Sequence, residues 1–385
     1  MKSPEQIAAA ADRYLLHTYS RKICLDRGEG SYVFDSSGKR YLDLIGGIAT
    51  CTIGHSNKMF TDALMDQLEL IINPSNLFYS MPQIDLARKI TELSGLCKCF
   101  FSNSGTEANE AAIKLARKHT GKKQFICMKN GFHGRTMGSL SATWEPKYKE
   151  PFAPIVEGFL FTDYGDADQI RAMLESNDDI AGVMLEAIQG EAGVLVPSPG
   201  FLSEARELCT RHGCMMIMDE VQTGNGRTGT FFCYRQELGA ESLPDIVTAA
   251  KGLANGLPIG VTMAGQGIDF EPGDHGCTFG GNPLCCIAAL KTIEIIEALL
   301  PGIRERGEYF RERLSTISGV KSVRGRGLMI GVEVDDAAGI AERCAYEGLL
   351  LNCAHGALRM LPPLTISREE IDEAVDIIER VIEND

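Results

Sequence analysis

Residues 215–224 read MMIMDEVQTG, and residues 245–256 read DIVTAAKGLANG. Each is a short apolar run closed by a charged residue, Asp219 in the first and Lys251 in the second. Apolar runs of this length between turn residues read as buried strands. In open α/β sheets ligands bind outside the carboxyl ends of the strands, so the two runs predict a carboxylate and an amine facing one crevice. A carboxylate ending so apolar a strand would be costly without a partner. Lys251 is the only lysine between Lys149 and Lys291, and it follows an almost uncharged stretch. A lysine able to form a Schiff base, beside an anion able to keep a pyridine nitrogen protonated, suggests pyridoxal phosphate.

Outward from this pair, strand candidates 98–103 (KCFFSN), 124–129 (QFICMK), 182–187 (GVMLEA) and 258–265 (PIGVTMAG) alternate with helical patterns. That alternation predicts an α/β fold with a mainly parallel sheet flanked by helices. Upstream, the pattern predicts a helix over 4–17 and a hairpin with arms 22–30 and 31–44. Downstream it predicts a helix over 282–300, strands at 321–327, 328–334 and 349–354, a helix over 338–348 and a final helix over 367–383. The expected organisation is a large domain over 46–265, a smaller α/β C-terminal domain over 266–385, and an N-terminal segment, 1–45, packed with the smaller one.

Composition narrows the partners. The 385 residues are 44% hydrophobic, enough for a substantial core, and carry a net charge of -14. With no basic face, the electrostatic term that drives binding to nucleic acid or anionic membranes is missing. No stretch approaches a membrane span and the first residues lack a signal-peptide core, so the expected location is the cytoplasm. The thirteen cysteines are scattered. They read as reduced thiols without zinc-ligand spacing, and no metal is expected.

Several loops add candidate ligands. Residues 100–118, FFSNSGTEANEAAIKLARK, read as strand, turn and helix, with Ser104 and Glu107 at capping-box spacing. The N–H groups of Gly105 and Thr106 would then point outward at the positive helix end, where a phosphate would sit. An ordinary capped helix has the same spacing. In 130–140, NGFHGRTMGSL, Phe132 could stack on a flat ring and Arg135 could clamp a carboxylate; His133 is read as structural. Glu191, in 185–193 (LEAIQGEAG), is either a removable counter-ion or a solvated loop residue. Gln222 stands near enough to Asp219 to reach a cofactor oxygen. Thr278, in the glycine-rich 274–283 (DHGCTFGGNP), offers a hydroxyl to a phosphate. Arg359, between apolar residues in 358–366 (LRMLPPLTI), needs an anion to offset its desolvation.

Together with 46–55 (GGIATCTIGH), 219–229 (DEVQTGNGRTG), 244–260 (PDIVTAAKGLANGLPIG) and 324–331 (RGRGLMIG), these segments resemble the class III aminotransferases of the type I pyridoxal-phosphate fold. Within that family the resemblance is greatest to the acetylornithine aminotransferases. It implies that Lys251 forms the Schiff base and shuttles a proton, and that Asp219 pairs with the pyridine nitrogen. Gln222 would bond the ring hydroxyl and Phe132 would stack on the ring, with Glu220 and Val221 also lining the cofactor. Gly105 and Thr106 would hold the phosphate, with Thr278 reaching it from the other subunit of a homodimer. Arg135 would bind the α-carboxylate of an ornithine-type substrate and Arg359 that of glutamate, with Glu191 neutralising Arg359 in between.

The implied reaction is transfer of the terminal amino group of N2-acetylornithine to 2-oxoglutarate. Ile48 stands where ornithine aminotransferases carry tyrosine, which favours an N-acylated substrate. N-succinylornithine or an acylated intermediate of lysine synthesis satisfies the same argument. Free ornithine is a further alternative substrate, and an aminomutase or racemase on the same scaffold, or a PLP-binding regulatory protein, are the alternatives outside this reaction. The chain departs from the family pattern at Ala187, usually proline, and at Cys277, usually a serine near substrate or cofactor.

Overall fold

The structure, a computed structural model, describes residues 4–384. The first three residues of the expected N-terminal segment and the last of the C-terminal domain lie outside the described residues. Strands β1 (Leu25–Glu29), β2 (Tyr32–Asp35) and β3 (Arg40–Asp43) form an antiparallel meander. Then come β4 (Lys98–Ser102), β5 (Gln124–Met128), β6 (Phe159–Thr162), β7 (Ile180–Glu186), β8 (Met215–Asp219), β9 (Ile246–Ala249) and β10 (Gly260–Ala264). The C-terminal part holds β11 (Ser322–Arg326), β12 (Met329–Glu333), β13 (Leu349–Leu350), β14 (Asn352–Ala354) and β15 (Ala357–Met360).

Strands β4 to β10 make one seven-stranded sheet in the order β4-β10-β9-β8-β7-β5-β6. All neighbours from β9 to β6 run parallel, while β10 is antiparallel to both β9 and β4. Every residue of β7, β9 and β10 is buried, as a sheet covered on both faces requires. Strand β13 pairs parallel with β3, so the N-terminal meander is continuous with the C-terminal part of the chain. Strands β11, β12, β15 and β14 form a separate antiparallel sheet.

Several elements depart from the sequence expectation: the arm 31–44 divides into β2 and β3, the run 349–354 divides into β13 and β14 in different sheets, and β15 has no counterpart among the expected strands. The first helix ends at Tyr14. Edge strand β6 was not expected, because four residues, FLFT, give too short an alternation to register. The helix expected to stop at residue 300 runs from Pro283 through Pro301 to Ser315. Proline removes one helical hydrogen bond, but Ile303, Gly307, Phe310 and Leu314 beyond it are buried, and that apolar face carries the helix onward. The same helix contacts helices Lys58–Leu68 and Met81–Ser94 as well as β11, β12 and the C-terminal helix Arg368–Glu383.

Candidate active site

Register brings the chemistry to the carboxyl ends of the central strands. Glu186, the last residue of β7, pairs with Asp219, the last of β8, and Asp219 pairs with Thr248 of β9. Three polar side chains thus stand in a row across adjacent parallel strands. Lys251 follows β9 by two residues and opens a short 3-10 turn, with φ 43° in the left-handed region. That conformation is uncommon for a side chain with a Cβ and persists where the surroundings dictate it.

Asp219 is buried and held on three sides. Asn109 Nδ2 donates to its Oδ2 at 2.8 Å, His133 Nδ1 lies 2.8 Å from the same oxygen, and Val221 N–H donates to Oδ1 at 3.0 Å. Asn109 is itself fully engaged, donating to the His133 carbonyl at 2.7 Å and accepting from Thr248 Oγ1 at 2.7 Å. Burial pushes the His133 imidazole down, but Asp219 and then Glu186 outweigh it and leave the ring raised above its ordinary value. Its Nε2 is buried without a partner. Glu186 is pushed up to about 7, first by burial and then by Asp219, against the pull of His133. It accepts from Phe132 N–H at 3.0 Å, which fixes the loop that carries the aromatic ring.

Lys251 is half-buried. Desolvation lowers its amine, opposed by Glu191 and Asp219. An amine tuned downward deprotonates more readily, which is what a nucleophile or proton carrier needs. Helix Gly105–Thr120 begins behind this cluster, capped by Ser104 Oγ, which accepts from Glu107 N–H at 3.3 Å. A Cβ on Gly105 would meet Val221 Cγ1 at 2.7 Å, so the helix start is pressed against the turn that follows Asp219. Thr106 Oγ1 is shared among Thr136, Ser139 and the N–H of Arg135. The free N–H groups of the first helical turn meet the positive dipole end there.

The two arginines are held in opposite ways. Arg359, in β15, is only 2% exposed, yet its Nη1 lies 2.6 Å from Glu191 Oε1 and 3.1 Å from the Gly190 carbonyl. Gln222 Oε1 accepts from the same nitrogen at 3.4 Å. Burial alone would raise the Glu191 carboxyl, but Arg359, then Lys251 and Gln222, hold it below the usual range. Arg135 is exposed and rests on aromatic faces, its guanidinium carbon 3.5 Å from the Tyr148 ring centroid and 5.4 Å from that of Phe132.

The sequence candidates therefore converge, with three exceptions. The Glu220 carboxylate turns away, accepting from Thr223 Oγ1 at 2.6 Å and Tyr234 N–H at 2.7 Å, because successive strand residues face opposite sides. Thr278 is exposed, and Asn73 Nδ2 donates to its carbonyl at 3.4 Å; no hydrogen bond among the described residues ties it to Thr106. The Cys277 thiol accepts from Asn103 Nδ2 at 3.1 Å and Gly280 N–H at 3.2 Å, so it ties its loop to the turn that leads into helix Gly105–Thr120. Ile48 is 39% exposed on a left-handed turn, with φ 61°, 62° and 64° at Gly47, Ile48 and Ala49. Ala187 is buried, its carbonyl accepting from the Tyr164 hydroxyl at 3.0 Å.

Sequence reasoning gave no role to Asn109, His133, Glu186, Thr248 or Tyr148. One signal pointed to Asn109: it falls on the apolar stripe that Ile113 and Ala116 continue, where an amide must find partners.

A buried carboxylate held by Asn109, His133 and the Val221 N–H, a depressed amine, a half-buried aromatic and an anion-ready helix start form the donor set that pyridoxal phosphate requires. Comparison with known proteins agrees. The model of the family described as aminotransferase class-III matches residues 16–382. The chain is 47% identical to the acetylornithine aminotransferase of Methanopyrus kandleri over 376 residues, 94% of this chain and 95% of that protein. It is 44% identical to that of Archaeoglobus fulgidus over 372 residues, 95% and 97% of the two chains. Among solved structures it is similar to the ornithine aminotransferase of Toxoplasma gondii, with TM-score 0.95 and 30% identity, covering 100% of this chain and 96% of that one. The acetylornithine aminotransferase of Elizabethkingia anophelis gives TM-score 0.88 and 32% identity over 100% of both chains.

Proposed function

The chain belongs to the class-III aminotransferases, pyridoxal-phosphate enzymes of fold type I, and from that footing we propose that it transfers the terminal amino group of N2-acetylornithine to 2-oxoglutarate. The products are N-acetylglutamate 5-semialdehyde and glutamate, and the reaction belongs to arginine synthesis, as the names of the relatives support.

When bound, pyridoxal phosphate supplies the aldehyde that takes the amino group and the protonated ring that draws off electron density. The chain's own residues do the rest. Lys251 Nζ would hold the cofactor and would carry the proton from the carbon bearing the amine. Asp219, oriented by Asn109 and His133, would pair with the ring nitrogen. Gln222, Val221 and the backbone beside Glu220 would line the ring, Phe132 would stack on it, and Gly105 and Thr106 would hold the phosphate.

The Glu191–Arg359 pair carries the substrate reading. One site must accept a distal amine in one half-reaction and the α-amine of glutamate in the other. While Glu191 holds Arg359, no substrate carboxylate is drawn there, and Arg135, whose donors are not occupied by a carboxylate, takes the α-carboxylate of the acylated substrate. When Glu191 swings aside, Arg359 binds the α-carboxylate of glutamate, and the buried charge is paired in both states. Ile48 offers no polar partner to a free α-amino group, which favours the acylated form. Overall shape does not make this distinction, since an ornithine enzyme superposes as well as an acetylornithine one.

A homodimer is part of the same proposal. Met59, Met65, Leu68, Leu70, Ile72 and Phe78 expose apolar side chains along one segment. Asn76 of that segment donates to the carbonyls of Cys277 and Gly280, both at 2.9 Å, so the loop bearing Thr278 is tied to this surface. Thr278 would complete the phosphate site of a second copy docked there. The three-part division at residues 45 and 265 and a cytoplasmic location belong to the proposal as well. Among the described residues no helix is long and apolar enough to cross a membrane.

The test is a panel of N2-acetylornithine, N-succinylornithine, ornithine and 4-aminobutyrate with 2-oxoglutarate as acceptor. N2-Acetylornithine should give the highest kcat/KM. Equal or better turnover of ornithine overturns the reading of Ile48, and turnover without any keto acid points instead to an aminomutase.

A further inference from the structure

We propose that Tyr148 is a positioning residue for Arg135, and that it governs the half-reaction of the acylated substrate but not that of glutamate. The inference rests on the reading of Arg135 as the carboxylate site for the former. Arg135 is exposed, and no ion pair among the described residues includes it. A long, unpaired side chain on a loop has many rotamers open to it. Here its guanidinium carbon lies 3.5 Å from the centre of the Tyr148 ring, which is face contact. Stacking engages the π face of the guanidinium and leaves its N–H donors, which radiate in the plane, free for a carboxylate. The ring thus fixes the fork without occupying it, whereas Glu191 occupies Nη1 of Arg359.

Tyr148 is in turn held in place. It sits in the short helix Pro146–Lys149, where Pro146 fixes the first helical position and Tyr148 N–H donates to the Glu145 carbonyl at 3.1 Å. Its ring meets Phe132 edge-on, at 6.4 Å and 89°. Phe132 is anchored through its N–H to Glu186. The contacts therefore run from the strand ends through Phe132 and Tyr148 to Arg135. Tyr148, Phe132 and Glu191 line one cavity of about 260 Å³. The Tyr148 hydroxyl makes no hydrogen bond among the described residues, so the ring face is the part that matters.

The experiment measures the two half-reactions separately on the cofactor-loaded enzyme, by the absorbance change with N2-acetylornithine alone or with glutamate alone. Tyr148→Phe and Tyr148→Trp keep a ring face and should leave both saturation constants close to wild type. Tyr148→Leu should raise the N2-acetylornithine constant about three- to thirtyfold, the range of a cation on an aromatic face, with the glutamate constant unchanged. If Tyr148→Leu leaves the N2-acetylornithine constant unchanged while Arg135→Ala raises it, the inference is overturned. A parallel rise in both constants makes Tyr148 merely structural and also overturns it. If Arg135→Ala alters neither constant, the reading of Arg135 itself fails and this inference falls with it. Should Tyr148→Leu fold poorly, Tyr148→Met serves as the faceless variant under the same outcomes.

Discussion

Glu191 Oε1 lies 2.6 Å from Arg359 Nη1, and the arginine is 2% exposed while the glutamate side chain is 34% exposed. One partner is fixed in the interior and the other has room to leave. Hydrogen bonds to charged groups contribute about 1.5–3 kcal/mol, so Glu191→Ala should tighten glutamate and 2-oxoglutarate binding roughly tenfold or more. The kcat/KM for N2-acetylornithine relative to glutamate should fall by a similar factor. Steady-state kinetics on both substrates checks this, and an unchanged ratio counts against the switch.

Asn109 connects Asp219, the His133 carbonyl and Thr248 through one amide. Asn109→Ala leaves Thr248 Oγ1 and the His133 carbonyl without that partner, which costs about 1–3 kcal/mol in a buried site. Thermal denaturation of the apoprotein should show the loss, and cofactor affinity measured by dialysis should weaken with it.

Glu220 is fully buried and its carboxyl is pushed up to about 7 from the model-compound 4.5, chiefly by desolvation. The folded state therefore holds a proton that the unfolded chain has released between these values, and stability falls as pH rises from 4.5 to about 7. At 1.36 kcal/mol per unit this amounts to about 3 kcal/mol. Glu220→Gln removes the term. Urea unfolding should show wild type losing stability relative to the variant across that window, and parallel pH profiles would contradict the assignment.

Thr278 lies on the loop tied to the exposed apolar segment and, among the described residues, makes no hydrogen bond to Thr106 of its own chain. Thr278→Ala should weaken cofactor binding roughly tenfold, and dilution of the wild type below the dimer dissociation constant should weaken it as well. Cofactor retention measured across protein concentration checks both. Retention independent of concentration argues against a shared phosphate site.

Much of this arrangement is legible in the chain itself. Asp219 and Lys251 stand out because each ends an apolar run, and strand ends are where such sheets gather charge. Arg359 stands out because it interrupts an apolar stretch. Less visible are residues whose role depends on register. Glu186 and Thr248 become neighbours of Asp219 only when β7, β8 and β9 pair in the observed alignment. Glu220 shows the opposite case: the family resemblance placed it with the cofactor residues, while strand alternation turns its carboxylate to Thr223 and Tyr234. Tyr148 is hidden for a different reason, since face contact between Tyr148 and Arg135 across a loop leaves no periodic trace. The strand β6 and the continuation of helix Pro283–Ser315 past Pro301 escaped notice because packing, not local propensity, decides them.

The central claim is that Lys251 carries pyridoxal phosphate and moves the proton. Lys251→Ala, reconstituted with the cofactor, should lose both the absorbance band of the lysine-linked cofactor and turnover of N2-acetylornithine with 2-oxoglutarate, while its circular dichroism matches wild type. Turnover retained in that variant would contradict the account.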